Sequence, residues 1–360
     1  MKAETLLPLG KLDPGLAQPE APLDLAAVPA DAAEVDALGY HALLMEETKD
    51  DPFQVLAVAA GATQRVRLGT SVAIAFARSP FVTAMAAWTL QKLSKGRFEL
   101  GLGSQVRGHV RRRYGLEWHP PGPWMRDYVG AVRAIWKSWQ RREPLDFESD
   151  RYRLDLNVPL FTPAPIEHPD IPIHVAAVNP IMCRVAAQVA DGVRLHPVCS
   201  QTYIAEVVHP AVQAGLRGSS RAFDICLKPL IATGPDEETL RARTEVARQR
   251  LAFYVSTPAY RAAFDHLGLS DLADELAQLS KRGQWNAMAS RIGDDVLSHW
   301  VTIAPYDELA ERLLERFGAL IDRIEVSIPL EHPADRAVLG EAIKRLAEAP
   351  QRQSATGQAR

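Results

Sequence analysis

Glu46-Glu47-Thr48-Lys49 stands at the end of a short apolar run, and Asp50-Asp51 follows it. A run of charges in that place has two readings. It is a solvated loop, or it caps the C-terminal end of a barrel strand, where catalytic groups gather. In the second reading Glu47 is an acid or base, and Thr48 or Lys49 hydrogen-bonds an anionic or enolic partner. A second stretch, Gly101-Leu102-Gly103-Ser104-Gln105-Val106-Arg107-Gly108, also follows an apolar strand. It fails as a dinucleotide fingerprint, because its third glycine is displaced and a Pro-containing loop follows. Its glycines either turn the chain or let a flat ligand approach the backbone. At Val178-Asn179-Pro180, Asn suits an N-cap and Pro the first helical position. Such a helix start is ordinary capping or a phosphate site.

The ten histidines show no H-E-x-x-H and no other metal-ligand spacing, so no metal is expected. His196 ends a strand and His109 lies in the loop after Ser104, so both could face a site. His174 begins a strand and reads as structural. G-x-S-x-G is absent, which excludes an esterase-type nucleophile elbow. Arg107, Arg111, Arg112 and Arg113 form a basic cluster. It is either a solvated loop or an attractor for the anionic tail of a ligand.

These residues need elements to hold them. Strand-like segments fall at 3–9, 40–45, 66–76, 97–102, 173–178, 193–198, 223–233 and 324–330. Helical segments alternate with them, at 23–38, 52–62, 125–139, 180–190, 203–216, 307–317 and 333–347. Another starts at Ser79-Pro80 and carries Phe81, Ala84, Met85 and Trp88 on one apolar face. Eight strands in strand–helix alternation predict an α/β fold, a (β/α)8 TIM barrel with insertions. One domain is expected over 1–348, with insertions near 141–172 and 240–300. The first insertion includes a hairpin over 147–156, the second is mainly helical, and residues 349–360 are expected to be a disordered tail.

Composition narrows the function classes. The 360 residues are 47% hydrophobic and 24% charged with a formal net charge of −3, which excludes a disordered chain and a basic nucleic-acid binder. No apolar run reaches membrane-spanning length, and no secretory signal is visible. Three cysteines, Cys183, Cys199 and Cys226, are too few for a disulfide framework and fit the cytoplasm.

Four stretches, taken in order, resemble the luciferase-like monooxygenase superfamily, and more closely its branch of coenzyme F420-dependent oxidoreductases. They are Gly39-Tyr40-His41-Ala42-Leu43-Leu44-Met45-Glu46-Glu47, Leu68-Gly69-Thr70-Ser71-Val72 with Arg78-Ser79-Pro80, Gly96-Arg97-Phe98-Glu99-Leu100-Gly101-Leu102-Gly103, and Val175-Ala176-Ala177-Val178-Asn179-Pro180 with Ala190-Asp191-Gly192. The resemblance spans nearly the whole chain. It implies a barrel with the cofactor across its C-terminal mouth and a non-proline cis peptide at Ser71-Val72 behind the central ring. It further implies that Gly103, Ser104, Gln105 and His109 line the cofactor, and that Ala177, Val178 and Asn179 offer amides to its phosphate. Many dehydrogenases of this branch end the second strand in Asp-His. Here Glu47 and Thr48 align with that pair, and Thr cannot act as a base near pH 7. Glu47, Lys49, His109 or His196 takes over that role, or a substrate is reduced and only a proton donor is needed.

The expected activity is hydride transfer between F420 and a small organic substrate. FMN-dependent monooxygenation and a non-catalytic cofactor-binding barrel are the alternatives. Family resemblance also implies a homodimer through the helices after strands two and three, with Phe81 and Trp88 in the apolar face.

Overall fold

A parallel sheet must cover both its faces with other groups, and closing it removes its edges. The computed structural model, which describes residues 1–11, 22–350 and 352, has this closed form. In chain order the strands are β1 (Lys2–Leu6), β2 (Ala42–Met45), β3 (Arg67–Thr70), β4 (Ala73–Ile74), β5 (Phe98–Gly103), β6 (Phe147–Glu148), β7 (Arg153–Leu154), β8 (Ile173–Ala177), β9 (Gly192–Leu195), β10 (Asp224–Leu227), β11 (Leu230–Gly234), β12 (Val301–Pro305) and β13 (Arg323–Glu325). The parallel barrel runs β3-β2-β1-β13-β10-β9-β8-β5, and β5 returns to pair with β3 and β4. β3 and β4 are two pieces of one strand, broken by a cis peptide at Ser71–Val72. The barrel is therefore eight-stranded and of the TIM type.

Helix starts follow the local chemistry. Asp51 accepts from the Phe53 and Gln54 amides ahead of Pro52–Gly61. Ser79 accepts from Val82 ahead of Pro80–Leu93, and Asn179 from Met182 ahead of Pro180–Val189. In each case the proline at the first turn has no N–H to leave unpaired.

The structure departs from the sequence reading at five places. The strand expected over 223–233 is two strands. Pro229 cannot donate to a ladder, and there the chain leaves the barrel; β11 then pairs with β12, a strand the sequence reading did not contain. The loop expected after Ser104 holds a short helix, Arg107–Arg112. The long helix behind it runs Pro121–Arg141, longer than expected, because its prolines fall in the first turn. The last strand ends at Glu325. Trp88 does not belong to a surface face: it is buried edge-on against Trp139, and the exposed apolar residues of its helix are Val82, Met85 and Leu93. The tail at 349–360 lies outside the described residues except for Ala349, Pro350 and Arg352. Among the described residues no helix is long and apolar enough to cross a membrane.

Inside the barrel the filling is ionic. Arg323 bonds Glu4 at 3.1 Å, Glu99 at 2.7 Å and Asp224 at 2.9 Å. Arg194 bonds Glu4 at 2.9 Å, and Arg67 reaches Glu99 from the side. His174, fully buried, sits 4.0 Å from both Glu99 and Asp224, and neither ring nitrogen has a hydrogen-bond partner among the described residues.

Burial lowers the His174 and His41 pKa values to about 4, so both imidazoles are neutral in the folded chain. Unfolded histidine titrates near 6.5. Between those values the unfolded chain binds more protons, so acidification favours unfolding. Burial opposes ionisation of Glu4, Glu99 and Asp224, but the surrounding cations hold all three below the ordinary carboxylate range. Their stabilisation is lost at lower pH still. Thermal melts should therefore fall from pH 7 towards pH 4, with His174 alone accounting for on the order of 3 kcal/mol at about 1.4 kcal/mol per unit. His174→Leu should flatten the upper part of that slope, and a melting temperature constant from pH 7 to pH 4 would contradict the assignment.

Candidate active site

Successive strand residues point to opposite faces. On β2, Ala42 and Leu44 pack with Leu6 in a small cluster inside the barrel, apart from the main core, whereas Leu43 and Met45 belong to the outer core. That alternation sends Glu46 inward over the barrel axis and Glu47 outward towards the helices. Glu47 Oε2 accepts from the Ile74 amide at 2.7 Å and from Arg78, whose other nitrogen bonds Asp51 at 2.8 Å. The Ser71 amide donates to Met45 C=O at 2.9 Å, and the Glu47 amide to Val72 C=O at 3.3 Å. The cis peptide is thus stitched to the end of β2 on both sides. Glu47 is part of that stitching. The Thr48 carbonyl accepts from Arg113 at 3.1 Å, which ties the arginine-bearing helix to the same strand end.

The glycines of β5 have a packing role within the protein. A Cβ on Gly101 would lie 1.9 Å from Thr70 O, and one on Gly103 would lie 2.5 Å from a Val72 methyl. They make room for the broken strand beside them. Thr70 Oγ1 completes the contact, donating to Gly101 C=O at 2.7 Å and accepting from its amide at 2.9 Å. Ser104 follows, half-buried. Gln105 has φ of +58°, a left-handed conformation uncommon for a residue with a side chain, and its side-chain oxygen accepts from the Val106 amide at 2.8 Å. This turn launches helix Arg107–Arg112, on which His109 is exposed.

At the end of β8, Ala177 is buried, and Val178 after it is half-buried. Asn179 Oδ1 accepts from Met182, and Cys183 donates to Asn179 C=O. The amides of Val178, Asn179 and Ile181 make no hydrogen bond among the described residues. His196, past β9, shares the inward register of Arg194. Its ring stacks on Tyr260 with centroids 4.2 Å apart and meets Tyr254 edge-on at 4.7 Å. Both tyrosines come from the helical excursion between β11 and β12.

The residues expected at the site thus fall at the ends of consecutive barrel neighbours β2, β3–β4, β5, β8 and β9. Among them Glu47 faces away from the barrel axis and His109 faces solvent. The sequence reading missed the inward Glu46. It lies 3.1 Å from Lys11 and 3.0 Å from Lys228, and Lys228 is 3.5 Å from Glu325. Burial opposes ionisation of Glu46, but the two ammoniums hold its pKa down at about 2. Strand parity could have separated Glu46 from Glu47; the lysine partners are too distant in sequence to be read.

The sequence profile of the luciferase-like monooxygenase family matches residues 7–323. An uncharacterized protein of Mycobacterium tuberculosis is 38% identical over 326 residues, covering 90% of this chain and 95% of the relative. An F420-dependent glucose-6-phosphate dehydrogenase of Intrasporangium calvum is 29% identical over 73% of this chain and 81% of its own. Among solved structures, the coenzyme F420-dependent tetrahydromethanopterin reductase of Methanopyrus kandleri superposes with a TM-score of 0.71 at 17% identity over 97% of both chains. The oxygenating constituent of 3,6-diketocamphane monooxygenase from Pseudomonas putida, in complex with FMN, does so at 0.62 and 13% identity, over 97% of both.

Gly101→Ala should test the packing of the bulge. The obstacle is backbone, so the expected loss exceeds about 3 kcal/mol, at the severe end for overpacking. Gly108→Ala, where the added Cβ meets nothing within 4 Å, should cost nothing or stabilise slightly. Denaturant unfolding of the two variants checks the contrast.

Proposed function

This chain belongs to the luciferase-like monooxygenase family, and from that premise we propose that it is an F420-dependent oxidoreductase moving a hydride between the deazaflavin and a small organic substrate. The observation that carries the choice of F420 is the basic helix Arg107–Arg112, tied to the barrel mouth through Arg113 and Thr48. Arg111 and Arg112 are exposed there, and Arg107 stacks on Trp118. Such a rim suits a cofactor with an anionic oligoglutamate tail. Relatives named as F420-dependent, over most of the chain, support the same reading.

The residues fit the group. Unpaired amides at the start of helix Pro180–Val189 suit a phosphate, since helix N-termini carry partial positive charge. Ala177, Val178 and Asn179 would hold it there. Ser71 and Val72 would back the ring, with Gly103, Ser104, Gln105 and His109 along its edge. When bound, the deazaflavin supplies a ring carbon that gives or takes hydride. The chain's own part is to fix that carbon against the substrate and exclude water. Glu47 does so indirectly, by holding the bulge through Ile74 and Arg78. Thr48 anchors the basic helix. His196, braced by two tyrosines, brings a titratable ring to the mouth.

Fluorescence titration with F420 and FMN tests this. F420 should bind, and replacing Arg107, Arg111 and Arg112 together by Ala should weaken it at least tenfold while FMN affinity stays within threefold. Tight FMN binding without F420 binding would overturn the choice, and the same phosphate site would then serve a flavin monooxygenase.

The cytoplasm suits a chain with three buried free cysteines. We further propose a homodimer through the helices after β2 and β3, on which Val58, Val82, Met85 and Leu93 are each exposed. Sedimentation equilibrium should give twice the mass of 39.6 kDa, and Met85→Glu with Val82→Glu should return it to one chain. A monomeric wild type refutes the dimer.

A further inference from the structure

The turn between β8 and helix Pro180–Val189 is held from behind by a tyrosine. Tyr203 is buried, with 1% of its surface exposed, and its hydroxyl donates to Val178 C=O at 3.2 Å. The Val178–Asn179 peptide is trans, and a trans peptide carries its C=O and the following N–H in opposite directions. With the Val178 oxygen aimed at Tyr203, the Asn179 N–H points the other way, out of the packing that holds the ring. That amide makes no hydrogen bond among the described residues. The two oxygens of Asn179 are engaged in the helix start: Oδ1 accepts from the Met182 amide at 2.9 Å, and the C=O from Cys183 at 3.1 Å.

Tyr203 is itself seated by the chain after β9. Ser200 Oγ accepts from its amide at 3.2 Å and starts the helix there. Pro210 cannot donate within that helix. Just ahead of it the helix widens over Ile204–Val208, closed by the His209 amide on Ile204 C=O. His266, from the excursion between β11 and β12, meets the Tyr203 ring edge-on with centroids 5.6 Å apart, and bonds Glu206 at 2.8 Å. The ring is thus gripped by its own helix and by the excursion. Burial pushes the Tyr203 phenol well up, so the hydroxyl keeps its proton and donates.

We propose that Tyr203 is a positioning residue: its hydroxyl holds the Val178–Asn179 peptide in the orientation that offers the Asn179 amide to a phosphate oxygen. This rests on the reading of Ala177, Val178 and Asn179 as the phosphate-binding turn; the hydrogen bond to Val178 does not. The opposite orientation would turn a carbonyl oxygen to the phosphate, and two acceptors repel. The peptide lies between β8 and the helix, where neither ladder nor helix fixes it, so the turn needs an anchor. Loss of the hydroxyl divides the population between the two orientations. Apparent affinity scales with the competent fraction, so a fall to about a fifth raises Kd about fivefold.

The test begins without cofactor. Inorganic phosphate titrated into the deuterated protein, followed by amide-resolved NMR, should shift the Asn179 signal in wild type. In Tyr203→Phe, which keeps the ring, the phosphate Kd read from that signal should rise at least fivefold. Ser200→Ala is the control. It removes a helix cap and lowers the melting temperature but leaves the hydroxyl, so phosphate affinity should stay within twofold. Fluorescence titration then compares F420 with the same deazaflavin cut back to its ribityl alcohol, which lacks the phosphate. Tyr203→Phe should weaken F420 at least fivefold and the alcohol less than twofold. A wild-type Asn179 signal that neither phosphate nor F420 moves overturns the phosphate reading of the turn, and the role of Tyr203 with it. A signal that moves in wild type, with Tyr203→Phe binding phosphate within twofold, overturns the role of Tyr203 alone. So does equal weakening of F420 and the alcohol, or a fivefold loss of phosphate affinity in Ser200→Ala, because the effect would then come from general loosening and not from one peptide. Phosphate binding without F420 binding overturns the choice of cofactor and leaves the role of Tyr203 standing.

Discussion

Arg323 is the residue on which the barrel closes. Its guanidinium joins Glu4 on β1, Glu99 on β5 and Asp224 on β10, and Glu4 passes the link to Arg194 on β9. Five strands that meet nowhere in sequence are thereby fixed in register by one side chain. An eight-stranded barrel has an interior just wide enough to be filled by side chains. Three carboxylates against Arg67, Arg194 and Arg323 leave no net charge in that interior, which is the condition under which buried ions persist. Breaking one partner of such a set strands the rest, at a cost of about 3–5 kcal/mol. The arrangement gives stability less than it gives a single permitted register.

From that layer the period-two alternation of each strand carries upward to the mouth. Arg323 is followed inward by Glu325, Asp224 by Cys226 and Lys228, and Arg194 by His196. On β2 the same count selects Glu46 over Glu47. The two adjacent glutamates thus have separate tasks: one faces the axis among lysines, the other turns out to hold the bulge. A slip of one residue would exchange them and empty the ionic core at the same time.

Much of this was legible in the sequence. The Asp51-Pro52, Ser79-Pro80 and Asn179-Pro180 starts give their helices without tertiary help, because cap and proline act locally. Eight strands and their order followed from alternation, and the family resemblance located the break at Ser71–Val72. What stayed hidden depends on contacts at long sequence separation. Glu46 and Lys228 are 182 positions apart. β11 and β12 find each other across the whole helical excursion, and only their pairing shows that the run from Val301 to Pro305 is a strand. The Gly101 and Gly103 pattern was visible, but its packing reason, the bulge beside it, was not.

The helical excursion itself is anchored at its root. β11 and β12 pair over five residues, from Leu230↔Val301 to Gly234↔Pro305. Trp300, just before β12, donates its indole N–H to Val198 C=O at 2.8 Å, two residues beyond His196. Arg248 ties the long helix to Ile292, and Arg243 ties it to Thr233 and Tyr306. Tyr254 and Tyr260 therefore reach His196 from a braced platform, with the ordering cost met during folding. The wall presents an aromatic surface beside an inward-facing imidazole. The barrel strands shape one side of the mouth and the excursion the other, so the two can diverge independently: changes at Tyr254 and Tyr260 alter the wall without touching the ionic layer that sets the register beneath it.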